Sequence, residues 1–218
     1  MTDKLNMAAT KAMFLHMAGK IVAAKEILTK ADQAIGDGDH GVGMARGFEA
    51  VEEKLANQEF ASLEQLLKTT GMTLMSSIGG AAGAIFGTFF RAGSKSLAEC
   101  TSFDADALAK MLEDGLVAVQ KRGGANPGDK TMIDALAPAA EAAAANRGRS
   151  LNEAVNAAAK AARDGMEKTR GMTASTGKAK TLGERSLGHP DPGAISMTLI
   201  IDAISSYLDN SGQAEKSK

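Results

Sequence analysis

Residues 81–92 run Ala81-Ala82-Gly83-Ala84-Ile85-Phe86-Gly87-Thr88-Phe89-Phe90-Arg91-Ala92, apolar nearly all round. A helix with no polar face has to be buried among other helices in a soluble protein, so this segment predicts the central element of an all-α fold. Gly79-Gly80 separates it from a preceding helix that Ser62 caps, with Leu63, Leu66, Leu67 and Leu74 at helical spacing up to Ser76-Ser77. On its other side Asp104 caps a helix with Leu108, Met111, Leu112, Leu116 and Val119 inward, which Gly123-Gly124 and Pro127-Gly128 end. The same period continues toward both termini, over about Asn6 to Lys30, Val42 to Leu55, Asp129 to Ala145, Ser150 to Thr169 and Gly193 to Leu208. That makes eight helical segments, with no β-rich segment and no internal repeat.

Composition narrows the class. The 218 residues suit one domain over 1–210, followed by a polar, Lys-rich stretch, 211–218, expected to be disordered. Ala makes up about a fifth of the chain and aromatics 4%, which favours close helix contacts and disfavours sheets. A formal charge of −1 leaves no positive field for nucleic acid or an anionic membrane, so neither is expected as a partner. The single Cys100 excludes an internal disulfide, and low cysteine usage fits a reducing, cytoplasmic setting. The longest apolar run, Ile78 to Phe90, falls short of the roughly 20 residues a bilayer span needs, and no targeting segment is visible in the first 30 residues. The twelve Met and Cys100 are expected as core filler, and His16 carries no assigned role.

The chemistry concentrates in Asp32-Gln33-Ala34-Ile35-Gly36-Asp37-Gly38-Asp39-His40-Gly41, where three carboxylates crowd one turn and repel unless a cation sits among them. Three hard oxygen donors without cysteine suit Mg²⁺, which completes its octahedron with phosphate oxygens and water. Three other motifs fail. Gly36-x-Gly38-x-x-Gly41 matches the dinucleotide fingerprint in letters only, since that motif follows a strand and meets pyrophosphate with amides. A calcium loop starting at Asp37 would need Gly and Glu where Val42 and Phe48 stand. A P-loop fails because Gly171 and Gly177-Lys178 are one residue too far apart and Ala179 replaces the hydroxyl residue.

Phosphate needs positive potential, and the loop-to-helix junctions Ser76 to Gly83 and Gly128 to Thr131 offer amide groups for it. The bland reading of Gly79 to Gly87, close helix packing, stays open on those residues alone. The stretch Arg170 to Pro192, with four glycines and two prolines, is long enough for a functional or mobile loop.

Four motifs in order, Asp32 with Ile35 to Gly41, Ser76-Ser77-x-Gly79-Gly80, Gly128-Asp129-Lys130-Thr131-Met132-x-Asp134 and Leu182 to Gly193, resemble the L subunit of dihydroxyacetone kinase, the DhaL family. The resemblance spans nearly the whole chain. It implies a closed barrel of eight antiparallel up-down helices with a nucleotide, ADP or ATP, and two Mg²⁺ ions at one end. It further implies a kinase subunit that passes phosphoryl to dihydroxyacetone, or a related short ketose, held covalently on a separate K subunit. In some members a phosphohistidine protein of the phosphotransferase system recharges bound ADP. Carried over by position, Asp32, Asp37 and Asp39 are the implied metal ligands. His40, Gly41, Val42 and Gly43, with Ser77, Gly79, Gly80, Ala81 and Ala82, are the implied phosphate loops. Gly123, Thr131, Met132, Lys178, Arg185, Asp191 and Pro192 are the implied nucleotide contacts. His40 is expected to donate to phosphate rather than to carry it, His189 to shape the nucleotide loop, and no protein nucleophile is required. The chain departs from the family pattern at Gly43 (usually Asn), Ala82 (usually Ser) and Lys178 (usually Arg). Lys178 keeps a charge but lacks the planar fork, which loosens nucleotide retention and leaves exchangeable ATP or another ketose, such as a tetrulose, open. Two readings of other classes remain, a nucleotide-binding adaptor of a transcription regulator and a Mg²⁺-dependent phosphatase.

Overall fold

The computed structural model describes residues 3–98 and 100–216, without the side chains of 212–216. The described residues form β1 (Lys4–Asn6), α1 (Met7–Ala23), α2 (Lys25–Ile35), α3 (His40–Ala56), α4 (Leu63–Ser77), α5 (Gly80–Gly93), β2 (Ser102–Asp104), α6 (Ala105–Gly123), α7 (Ile133–Ala145), α8 (Leu151–Lys168) and α9 (Pro192–Lys216). The all-α expectation holds. The first expected segment is two helices, because the chain bends at Ala24, whose amide reaches both Lys20 and Ile21 carbonyls before α2 begins. Nothing in an Ala side chain signals such a bend.

Three further details differ from expectation. A two-stranded antiparallel ladder pairs Leu5 with Phe103 just before α1 and α6, where Asn6 and Asp104 cap the helices with their side chains. Three paired residues carry no periodicity long enough to notice. The expected Arg170 to Pro192 loop contains a 3-10 stretch, Lys178–Ser186, interrupted at Gly183. The expected disordered tail, 211–218, falls on the last turns of α9 and, at 217–218, outside the described residues.

The packing runs in a circuit: α1 on α3, α3 on α4, then each helix on the next through α8 on α9, with α9 back on α1. Small residues set the spacing. Gly71 and Gly87 face each other where α4 crosses α5, so that a Cβ on either would lie 2.7 Å from the other's carbonyl oxygen. On α7, Pro138 has no N–H for the Asp134 carbonyl, and Gly165 of α8 closes onto that spot, 2.9 Å from Pro138 Cγ were it to carry a Cβ. Phe90 of α5 is the aromatic hub, edge-on to Phe14 of α1, Phe48 of α3 and Phe89 at 6.1, 6.4 and 4.9 Å. The helix is therefore central in contacts yet not enclosed all round, since Ala84, Ile85 and Thr88 stay half-buried. Ile85 is open because it lines the cavity described below. No helix among the described residues is long and apolar enough to cross a membrane.

Candidate functional site

Four connections, α2–α3, α4–α5, α6–α7 and α8–α9, meet around a cavity of about 770 Å³. Its acidic wall comes from two kinds of local structure. Asp32 sits in the last turn of α2 and is buried, its carboxylate accepting the His40 amide at 3.1 Å. Asp37 and Asp39 lie on the short link 36–39, which Gly38 bends at φ 81. The three carboxylates each bring an oxygen within 4.8 Å of the others. Lys178, from the far α8–α9 connection, places its ammonium on two of them, 2.5 Å from Asp37 and 3.2 Å from both Asp39 oxygens. Lys178 holds the Asp37 carboxyl below its ordinary value, and Asp37 first, then Asp39, hold the ammonium above its own. The ammonium seated on Asp37 and Asp39 shows that this part of the wall draws positive charge, and the hard oxygens of all three carboxylates fit Mg²⁺.

Across the cavity stands the α4–α5 turn. Gly79 (φ 81) and Gly80 (φ 56) take backbone shapes that glycine tolerates, and no side chain caps the start of α5. Its first amides are thus left for an anion. Arg46 of α3 lines the same cavity, its Nε and Nη2 donating to the Ser77 and Ile78 carbonyls at 2.7 and 2.5 Å.

The third wall is a buried charged strut. Asp134 accepts the Gly128 and Thr131 amides at 2.5 and 2.7 Å, which closes 128–131 into a tight turn rather than the first turn of α7 expected from the sequence. Within it Lys130, at φ 60, turns its buried ammonium to the carbonyls of Thr169 (2.5 Å) and His189 (2.6 Å). Asp191 caps α9 by accepting the Ala194 amide at 2.7 Å. Burial, with Asp134 beside it, outweighs that bond and the Lys130 charge and raises the Asp191 carboxyl to about 7. A folded-state value above the unfolded one means that stability is lost as pH rises from 3.8 to about 7 and is level above that. Asp191→Asn should remove this slope, so urea midpoints at pH 5 and pH 8 should lie closer together in the variant than in the parent. Equal spacing would contradict the assignment.

His40 enters the site as a held group. Its Nε2 pairs with Ser196 Oγ at 2.7 Å, the Pro192 backbone also bonds the ring, and Phe86 lies 6.2 Å away. Burial keeps the imidazole below its ordinary value despite Asp32 and Asp39, so it is neutral at pH 7. The ring therefore ties α3 to α9. His189 serves the α8–α9 connection through its carbonyl, and His16 pairs with Ser206 beside Tyr207 on the α1–α9 seam.

Of the residues expected at the site, Asp32, Asp37, Asp39, His40, Val42, Gly43, Gly79 to Ala82, Thr131, Met132, Lys178, Asp191 and Pro192 line the cavity. Gly41, Ser77, Gly123 and Arg185 do not. Gly41 is packed against the Lys25 carbonyl and Thr29, Ser77 gives only its carbonyl to Arg46, and Arg185 is exposed. Arg46, Ile85, Phe86 and Thr176 line the cavity without having been singled out. An arginine six residues beyond His40 on a glycine-rich helix was the available signal for the first.

A helical domain that turns a carboxylate trio and an uncapped helix start into one cavity has the build of a metal-and-phosphate-binding domain. Residues 34–206 match the family model described as DAK2 domain, and the chain belongs to that family. It is 42% identical over 180 residues to "PEP-dependent dihydroxyacetone kinase 1, ADP-binding subunit DhaL" of Listeria innocua, covering 83% of this chain and 86% of that one. The corresponding subunit of Escherichia coli K12 is 42% identical over 194 residues, 88% of this chain and 92% of that one. An L-erythrulose 1-kinase of Mycolicibacterium smegmatis is 34% identical over 83% of this chain, which spans only 32% of that protein. The crystal structure of the C. freundii dihydroxyacetone kinase with AMP-PNP and Mg²⁺ superposes with a TM-score of 0.74 at 26% identity, over 94% of this chain and 35% of that chain. The resemblance to the DhaL family is thereby established.

Proposed function

We propose that the chain is the nucleotide-holding L subunit of a dihydroxyacetone-type kinase, passing the terminal phosphoryl of Mg²⁺-bound ATP, taken from solution or regenerated on a retained ADP, to dihydroxyacetone, or a related short ketose, held on a separate K subunit, with ADP left in the site. The observation that carries this reading is that the carboxylate trio, two of whose members hold the Lys178 ammonium, and the uncapped start of α5 line one cavity. Asp32, Asp37 and Asp39 would hold the metal, two ions in all. The amides of Gly79 to Ala82 would receive phosphate, with Val42 and Gly43 alongside, and Thr131, Met132, Lys178, Asp191 and Pro192 would surround the rest of the nucleotide. Bound Mg²⁺ supplies charge neutralisation of the phosphate oxygens. The chain's residues supply position: amides fix the phosphates, Ile85 and Phe86 wall out water, and His40, its ring held by Ser196 and Pro192, leaves the transfer to nucleotide and partner. The packing circuit, with α1 and α2 counted as one, is our reading of a closed eight-helix antiparallel barrel. The phosphohistidine donor of a phosphotransferase system and a cytoplasmic setting belong to the same proposal.

The test is to purify the chain without added nucleotide, denature it and chromatograph what is released. Near-stoichiometric ADP means a retained coenzyme and a phosphohistidine donor. An empty site that binds Mg-ATP reversibly means an ATP-dependent subunit, with Gly43, Ala82 and Lys178 as the cause. No nucleotide released and no Mg²⁺-dependent binding overturns the proposal. Addition of a K-type subunit, ketose and phosphoryl donor should give turnover. Binding without turnover would point to the adaptor, and phosphate release by the chain alone to the phosphatase.

A further inference from the structure

The α4–α5 turn has no side-chain support of its own. Gly79 and Gly80 both sit at positive φ, no side chain caps α5, and a Cβ on Gly80 would meet nothing within 4 Å. Glycine loses more backbone freedom on ordering than any other residue, so a pair of them facing a cavity should wander unless something holds it. Arg46 is what reaches it. From α3 the guanidinium spans the last two carbonyls before the turn, Ser77 through Nε and Ile78 through Nη2. Those are orphan acceptors at the negative end of α4, where a planar cation with two parallel donors fits better than an ammonium. The same helix begins at His40, whose amide is held by Asp32. One rigid helix therefore spans from the carboxylate trio to the amide turn.

We propose that Arg46 is a positioning residue, which through the Ser77 and Ile78 carbonyls holds the Gly79 to Ala82 amides in phosphate-receiving geometry at a set distance from the carboxylate trio. This rests on the nucleotide-subunit reading above. The role differs from simple charge attraction, because two of the guanidinium's donor groups are committed to backbone.

The test compares Arg46→Met and Arg46→Lys with the parent, each first shown to keep the parent's helical circular dichroism. Three quantities are read: Mn²⁺ affinity without nucleotide, Mg-ADP affinity, and amide exchange over 79–82 in the ligand-free chain. Arg46→Met is expected to leave Mn²⁺ affinity within twofold, weaken Mg-ADP by about 10- to 30-fold, a loss of about 1.4 to 2 kcal/mol, and speed exchange at 79–82 while α6 to α8 are unchanged. Arg46→Lys should recover only a small part of the Mg-ADP affinity. Full recovery by Lys would make the role one of charge and overturn the proposal, as would unchanged exchange over the turn. A parent chain that binds no Mg-ADP would overturn the nucleotide reading itself, whereas parent binding with an unaffected Arg46→Met variant would overturn only the role of Arg46.

Discussion

With Asp37 in its proposed place on the metal, Asp37→Asn is expected to lower Mg-ADP affinity by at least about 100-fold, because a direct metal ligand matters more than the outer partners whose loss costs about 10- to 100-fold. The fold should be indifferent. Asp37 is exposed, its one ion pair is with the exposed Lys178, and losing a charge from a crowded trio relieves repulsion. Calorimetric titration with Mg-ADP and a thermal melt on the same preparation check both halves. Retained affinity would remove the trio from the metal assignment, and a large fall in the melting midpoint would show Asp37 to be a folding residue. Asp32 is the poorer choice, since its buried carboxylate also holds the His40 amide and its loss would disturb the entry to α3.

Lys130→Met should be the most destabilising of these changes, by about 2–4 kcal/mol, since it keeps the alkyl stem and deletes a buried ammonium with two carbonyl partners. Both carbonyls would be left unpaired, and Asp134 and Asp191 would lose their nearest counter-charge. The consequence is directional. Thr169 and His189 are the two ends of the connection that carries Lys178 to the acidic wall, so amide exchange over 169–191 should accelerate ahead of global unfolding. A urea midpoint equal to the parent's would refute the strut.

Much of the fold was legible because it is periodic. The helices from α3 to α8 fall within a few residues of their expected ends, the Ser62 and Asp104 side chains cap as expected, and α9 runs eight residues past its expected end at Leu208. What escaped lacked a repeat or a marker: the bend at Ala24, the three-residue ladder, and the turn at 128–131, where the Asp134 carboxylate draws the amides away from helix. The site divides similarly. Asp32, Asp37 and Asp39 were legible because eight residues of chain hold them together, and the glycine turn because its backbone needs no side chain. Residues named by motif position alone fared less evenly, since neighbours in a motif point different ways: Gly79 lines the cavity and Ser77 does not, Lys178 reaches the carboxylates and Arg185 faces solvent.

The sequence by itself determined that the chain is helical, that its helices pack closely through Ala and Gly, and that one short run concentrates three carboxylates, since all of these depend on neighbours a few residues away. Only the tertiary structure decided that Lys178 meets Asp37 across 141 residues, that Arg46 holds the Ser77 and Ile78 carbonyls, that Lys130 is a buried strut, and that Asp191 titrates near 7. Those facts arise when the last helix returns to the first and brings together groups that are far apart along the chain, burying Lys130 while leaving Asp37 and Lys178 exposed, and no local pattern encodes which charges that closure brings together.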